Sequence, residues 1–125
     1  MVDVTAAVRE KEGLLLITRR RADKHLGGMW EFPGGKLEPN ESLEGCLERE
    51  IQEELGIKIE VKTPLVVNDH HYDKGSIRLH AFGANLLEGE ISLKDHDDYR
   101  WVSKTELDNY EFAPADIPVV NLLKE

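Results

Sequence analysis

The chain has 125 residues, 40% of them hydrophobic and 33% charged, with a formal net charge of −9. That length suits one ordinary domain, able to bury roughly two-thirds of its unfolded surface, so residues 1–125 are expected to form a single unit. The acidic balance argues against a nucleic-acid strand as partner, since phosphate backbones are held by Lys and Arg clusters; a small polyphosphate bridged by a divalent cation stays open.

No apolar run approaches the roughly 20 residues of a membrane span. The start, Met1-Val-Asp-Val4, lacks the basic region and apolar core of a signal peptide, and a cytoplasmic location is expected. The single cysteine, Cys46, cannot form an internal disulfide and is expected to be a small buried packing residue.

In chain order, Val2, Val4, Ala6 and Val8 alternate with Asp3, Thr5 and Ala7 as in a half-buried strand. Lys11, Glu12 and Gly13 predict a turn, and Leu14 to Thr18 the returning strand of a hairpin. Arg19, Arg20 and Arg21 follow, either a solvated strand end or a phosphate-binding group. Residues 22–31 are expected to be a loop that delivers Trp30, Phe32 and Pro33 to Gly34 and Gly35, where the backbone can approach a ligand closely and a glycine carbonyl can meet a metal. Lys36 is placed to meet phosphate.

A helix is predicted over residues 41–55, with Asn40 as N-cap and Gly56 as the left-handed residue that ends it. Beyond it, Ile57, Ile59 and Val61 alternate as a strand, Pro64 interrupts, and Val66 to Tyr72 is a further extended piece. Lys74 and Gly75 are expected to turn the chain into a strand from Ile77 to Leu86, with Ile77, Leu79 and Ala81 on one face and Arg78, His80 and Phe82 on the other. Trp101 and Val102 predict a short strand, Ser103 to Glu106 a capping box, and Val119, Leu122 and Leu123 a last helix. A mixed sheet with helices on both sides fits this order.

Within the first helix, Glu50, Glu53 and Glu54 fall within about a third of the circumference, beside an apolar stripe of Leu43, Leu47, Ile51 and Leu55. Like charges at this spacing repel, and Arg49 can pair with only some of them, so a cation is expected there. A solvated acidic face is the alternative. Clustered carboxylates are hard oxygen ligands of the kind that hold Mg²⁺ together with phosphate oxygens and water.

From Gly35, five residues lead to Glu41, seven more to Arg49, then Glu50, Ile51, Glu53, Glu54, Gly56 and Ile57 at fixed intervals. This stretch, residues 35–57, resembles the Nudix box at every defining position; a chance match at one start point is on the order of 10⁻⁸. Ile17-Thr-Arg-Arg20, Trp30-Glu-Phe-Pro-Gly-Gly35 and Ala113-Pro-Ala-Asp-Ile-Pro118 are similar to the MutT-like branch that holds 8-oxo-dGTP diphosphatases and CTP pyrophosphohydrolases.

The resemblance implies an α/β/α sandwich around a mixed sheet (α/β, or α+β), monomeric or homodimeric. It implies Mg²⁺-dependent hydrolysis of a nucleoside triphosphate to the monophosphate and pyrophosphate, with Mn²⁺ able to substitute, in sanitation of the nucleotide pool and so in DNA repair. Carried over by position, Glu50, Glu53, Glu54 and the Gly35 carbonyl bind metal, Glu50 or Glu53 activates water, and Arg49 braces the site through Glu41. Arg20 and Lys36 hold phosphate, and Asp95 joins the metal shell or serves as the base, with Asp97 or Asp98 as substitutes and a solvated acidic turn as the alternative. Asp116 reads the base or caps the last helix; Phe32, His80 and Phe82 line the base pocket or simply pack. Rival readings are a preference for CTP or 5-methyl-dCTP, a hydrolase of dinucleoside polyphosphates or nucleotide sugars, and a nucleotide sensor without turnover.

Overall fold

The computed structural model describes residues 1–73 and 75–125; Lys74, the expected turn residue beside Gly75, lies outside the described residues. Strands β1 (Val2–Lys11), β2 (Leu14–Arg20) and β3 (Trp30–Glu31) precede helix α1 (Leu43–Leu55). Strands β4 (Lys58–Tyr72), β5 (Gly75–Glu88) and β6 (His96–Val102) follow, and helix α2 (Ile117–Leu123) ends the chain. The six-stranded sheet runs β3-β2-β1-β5-β4, with β6 on the other edge of β2. It is mixed, because β1 and β5 are parallel from Val2↔Ile77 to Arg9↔Ala84 while the other strand pairs are antiparallel.

Alternation along the strands builds two cores, one on each face. Ala6, Val8, Leu15, Ile17, Leu79 and Ala81 face the 3₁₀ turns and α2, whose Ala115, Val119 and Val120 complete that side. Ala7, Leu16, Phe82 and Ala84 face Leu47, Ile51 and Leu55 of α1. Leu47 and Leu55 are fully buried, each worth about 1.5–3 kcal/mol in transfer free energy, so the apolar stripe anchors the acidic ridge beside it.

One departure from a simple hairpin creates the site. Glu12 and Gly13 both adopt positive φ, at 52° and 80°, as a tight primed turn requires. Yet β1 and β2 pair only next to it, at Glu10↔Leu15 and Lys11↔Leu14. Farther along, the freed edge of β1 takes up residues 33–37 instead: the Ala7 N–H donates to the Pro33 carbonyl, Thr5 N–H to Gly35, and the Leu37 N–H to Asp3. The glycine segment is thereby held as an extended rail between the sheet and α1.

Several local expectations are corrected. The N-cap of α1 is Ser42, whose hydroxyl accepts the Gly45 N–H at 3.0 Å, and the helix starts at Leu43. Asn40 sits in the left-handed region at φ 66°, a conformation Asn tolerates in a turn. Pro64 does not break its strand; register shifts on either side absorb it, and β4 is an edge strand, where sheets tolerate proline. β6 is longer than Trp101 and Val102 because its charged residues hid the period. Gly56 ends α1 at φ 69°, as expected.

Candidate active site

A cleft of about 1350 Å³ opens along the glycine rail. Glu50 and Glu54 line it from α1, Glu31 and Arg20 from the β2–β3 region, and Asp116, Phe32 and Leu79 from the first core. Glu31 raises the proton affinity of both Glu54 and Asp116 through its charge, so it stands between an acidic end and an apolar end.

At the acidic end, Glu50 lies against the rail. A Cβ on Gly35 would sit 2.2 Å from the Glu50 Cδ, so only glycine admits this carboxylate. Burial raises the pKa of Glu50, with Arg49 opposing. Glu54 is pushed up to about 9, chiefly by burial and then by the charges of Glu31, Glu50 and Asp95. Its Oε2 is buried without a hydrogen-bond partner among the described residues. A desolvated carboxylate oxygen amid like charges fits a divalent cation, which would supply the missing partner.

Arg49 organises the rest of the ridge. Its guanidinium donates to Glu50 Oε1 at 2.8 Å and to Glu53 Oε2 at 3.3 Å, and it holds both oxygens of Glu41. Glu53 is largely exposed and does not line the cleft. Arg49 does not line it either and touches the cleft only through the Glu50 carboxylate it holds. With Arg49 on Glu50 and Glu53, no ready-made group of three metal-ligating side chains is present among the described residues.

Two metal-ligand expectations meet the geometry differently. The Gly35 carbonyl faces β1, where it accepts the Thr5 N–H at 2.8 Å and the Thr5 hydroxyl at 3.2 Å, so its lone pairs are already used. Because Pro33 and Gly35 both present their carbonyls to β1, alternation directs the intervening Gly34 carbonyl the other way. Gly34 rather than Gly35 is therefore the rail residue with a carbonyl to offer. Asp95 is exposed and off the cleft lining, yet near enough to act on Glu54; the Lys94 N–H, at 3.1 Å from the Glu54 carbonyl, brings it there.

Lys36 lines the cleft and forms no ion pair among the described residues. Arg20 lines it too, but its Nε donates to the His25 carbonyl at 2.7 Å and its Nη1 to Glu31 at 2.9 Å, leaving Nη2 as the nitrogen free of those bonds. With Nε engaged, a side-on grip on phosphate would cost it the His25 carbonyl, whereas Nη2 and the second Nη1 hydrogen remain to donate.

At the apolar end, Asp116 is 6% exposed and its Oδ1 accepts the Phe32 N–H at 3.2 Å. It makes no side-chain cap to α2, so the capping alternative is set aside. Burial first, then the charge of Glu31, raises its pKa well above the carboxylate range. The Phe32 ring stacks on Phe112, with centroids 5.5 Å apart. His80 and Phe82 are not here: strand alternation sends them to the opposite face of the sheet, where His80 binds Asp3 at 2.9 Å and Phe82 packs under α1. Their neighbours Ile77 and Leu79 line the cleft instead.

Sequence reasoning missed Glu31, Tyr72 and His96. Glu31 carried a usable signal, a lone acid between two aromatic residues that are both buried. Tyr72, which lines the cleft, and His96, which pairs with Glu31, carried none, since strand pairing brings each there.

The chain matches the NUDIX domain family model over residues 4–122. It is 38% identical to the CTP pyrophosphohydrolase of Escherichia coli strain K12 over 120 residues, covering 96% of this chain and 89% of that protein. It is 34% identical to the 8-oxo-dGTP diphosphatase of the same strain, over 94% of this chain and 91% of the relative. The crystal structure of a MutT NUDIX hydrolase from Burkholderia pseudomallei superposes with a TM-score of 0.88 at 26% identity, covering 98% and 97% of the two chains.

Proposed function

Because the chain belongs to the Nudix domain family, we propose that it is a metal-dependent nucleoside triphosphate pyrophosphohydrolase, yielding a monophosphate and pyrophosphate. The observation that carries this reading is Glu54: a half-buried carboxylate with one sealed, orphaned oxygen, held among acids at one end of a nucleotide-sized cleft whose other end is apolar. Structural acids are normally paired or solvated, so an arrangement of this kind is kept for a ligand.

Mg²⁺, or Mn²⁺ in its place, would be held by Glu54 and Glu50 with the Gly34 carbonyl, Glu53 and Asp95 nearby, neutralising charge on the phosphate oxygens. Glu50 is the better base of the two candidates, because it lines the cleft and its raised proton affinity suits removal of a proton from water. Lys36, and Arg20 through Nη2, face the phosphates. Phe32, Leu79 and Asp116 meet the base.

The state of Asp116 bears on which base. With Oδ1 accepting from Phe32, a protonated Asp116 donates from Oδ2, and the 6-oxo group of a guanine accepts such a bond. The exocyclic amine of cytosine is a donor and is better met by an ionised carboxylate, which only accepts. We therefore place an oxidised guanine nucleotide first and a cytidine triphosphate second, in a housekeeping role that clears damaged nucleotides in the cytoplasm before a polymerase meets them.

The test is product analysis with Mg²⁺ on 8-oxo-dGTP, CTP, 5-methyl-dCTP, ADP-ribose and diadenosine tetraphosphate, beside a Glu50→Gln variant. Release of pyrophosphate from a triphosphate, falling about 10²–10⁴-fold in the variant, is the expected result. Cleavage of only the last two substrates moves the protein to a different Nudix class, and tight binding with no cleavage of any makes it a sensor.

A further inference from the structure

Glu31 is held from two sides. Its Oε1 accepts Arg20 Nη1 at 2.9 Å and its Oε2 pairs with His96 Nε2 at 2.8 Å, while His96 is nearly sealed from solvent, its side chain 4% exposed. The pairing depends on an irregularity in the sheet. Between Arg19↔Asp98 and Arg20↔His96 the β2–β6 register slips, leaving Asp97 as the extra residue. Without that slip Arg20 would stand opposite Asp97, and strand alternation would turn His96 to the other face.

The bulge therefore aims His96 across β2 at Glu31, which itself stands opposite Thr18 on the far side of β2. A carboxylate oxygen accepts, so the 2.8 Å pair calls for an imidazole proton on Nε2. Nδ1 is buried without a partner among the described residues. A buried histidine that leaves one nitrogen unsatisfied while spending the other on a cleft carboxylate is an unfavourable packing choice, and a functional constraint accounts for it.

We propose that His96 is a positioning residue: through its Nε2–H it fixes the Glu31 carboxylate, together with Arg20, as an oriented acceptor for an N–H or O–H of the nucleoside half of the substrate. This rests on the nucleotide reading of the cleft. Glu31 lines the cleft between the acids that face the phosphates and Asp116, so its orientation bears on holding the nucleoside rather than on breaking the anhydride. Each Glu31 oxygen keeps a second lone pair for that purpose. An interaction made equally in the ground and transition states sets KM and leaves kcat alone.

The experiment measures kcat and KM of His96→Leu, His96→Gln, Glu31→Gln and the Leu/Gln double variant on the best triphosphate of the panel. His96→Leu is expected to raise KM about tenfold or more with kcat within about threefold, and His96→Gln, whose amide can still donate, to recover most of the loss. The double variant should be no worse than Glu31→Gln alone, because His96 acts through that carboxylate. Multiplying effects, a fall in kcat at constant KM, or no rescue by glutamine would overturn the proposal.

A second readout needs no substrate. In the nitrogen-15 imidazole spectrum of the metal-free protein, His96 should carry its proton on Nε2, and that signal should move in Glu31→Gln. A proton on Nδ1, or an indifferent signal, refutes the pairing even if His96→Leu fails to fold. A wild-type protein that cleaves no nucleotide fails the reading of the cleft instead, and the spectrum still decides whether His96 holds Glu31.

Discussion

Arg49 grips Glu41 with two nitrogens, Nε on Oε2 at 2.6 Å and Nη2 on Oε1 at 2.9 Å, across the turn that leads into α1. The same guanidinium reaches the Lys36 carbonyl at 3.1 Å and Glu50 at 2.8 Å. One planar cation thus ties the glycine rail, the helix start and an acid of the cleft into a single unit, and the Glu41 hydrogen bonds pull that carboxyl down to about 2.

Arg49→Lys keeps the charge and loses the fork. Activity should fall about 10–100-fold, as when a residue that orients metal ligands is removed, with a smaller change in melting temperature. Steady-state kinetics and a thermal melt on the same preparation check this; an unimpaired lysine variant would mean that charge alone suffices.

Stability should respond to pH in opposite senses at the two ends of α1. Glu41, with its pKa lowered to about 2 from 4.5, contributes stability that is present above 4.5 and lost as pH falls toward 2. Glu54, raised from 4.5 to about 9, behaves in reverse: its neutral form is favoured in the fold, so stability declines as pH climbs from 4.5 toward 9, by at most about 1.4 kcal/mol per unit. Denaturant titrations of the metal-free protein across pH 5–9 should show the decline in the wild type and a flatter profile in Glu54→Gln.

A cation that binds Glu54 must displace its proton. Mg²⁺ or Mn²⁺ affinity should therefore rise with pH, with proton release that calorimetry in buffers of different ionisation heat can count. Glu54→Gln should remove most of that release, and equal release from both proteins would place the metal elsewhere.

The two rail glycines should fail in different ways. A Cβ on Gly34 would lie 1.9 Å from the Thr5 carbonyl oxygen, a backbone atom of the sheet, so Gly34→Ala should cost folding itself. On Gly35 the clash is with the Glu50 side chain, which can swing away. Gly35→Ala should fold with near-normal circular dichroism while losing most turnover, and rescue of neither property by Mg²⁺ is expected.

Asp116→Asn preserves shape and a donor, whereas Asp116→Leu removes both. If the residue works as a neutral donor, the asparagine variant should keep its ranking of guanine over cytosine nucleotides within a few-fold and the leucine variant should lose about 10-fold or more. A switch in preference caused by asparagine would show that the ionised acid reads the base.

Much of the site was legible before any fold was known. The acids of α1 recur at helical spacing beside an apolar stripe, and burial of Leu47, Ile51 and Leu55 against the sheet follows from that period alone. The end of the helix at Gly56 follows from the same local pattern, and the Glu41–Arg49 brace is one that the Nudix resemblance implied. Such features rest on contacts between residues near one another in the chain, where spacing is geometry.

What only the tertiary structure decided is how distant segments share a face. The splayed β1–β2 pair, which no local signal announces, turns the Gly35 carbonyl inward and leaves Gly34's outward. Alternation relative to the cleft sent His80 to Asp3 and Phe82 beneath α1, on the opposite face of the sheet, and one slipped residue between β2 and β6 brought His96 to Glu31. Strand period is visible in a sequence, but which face meets which neighbour depends on register, and register is set by pairing across the whole sheet.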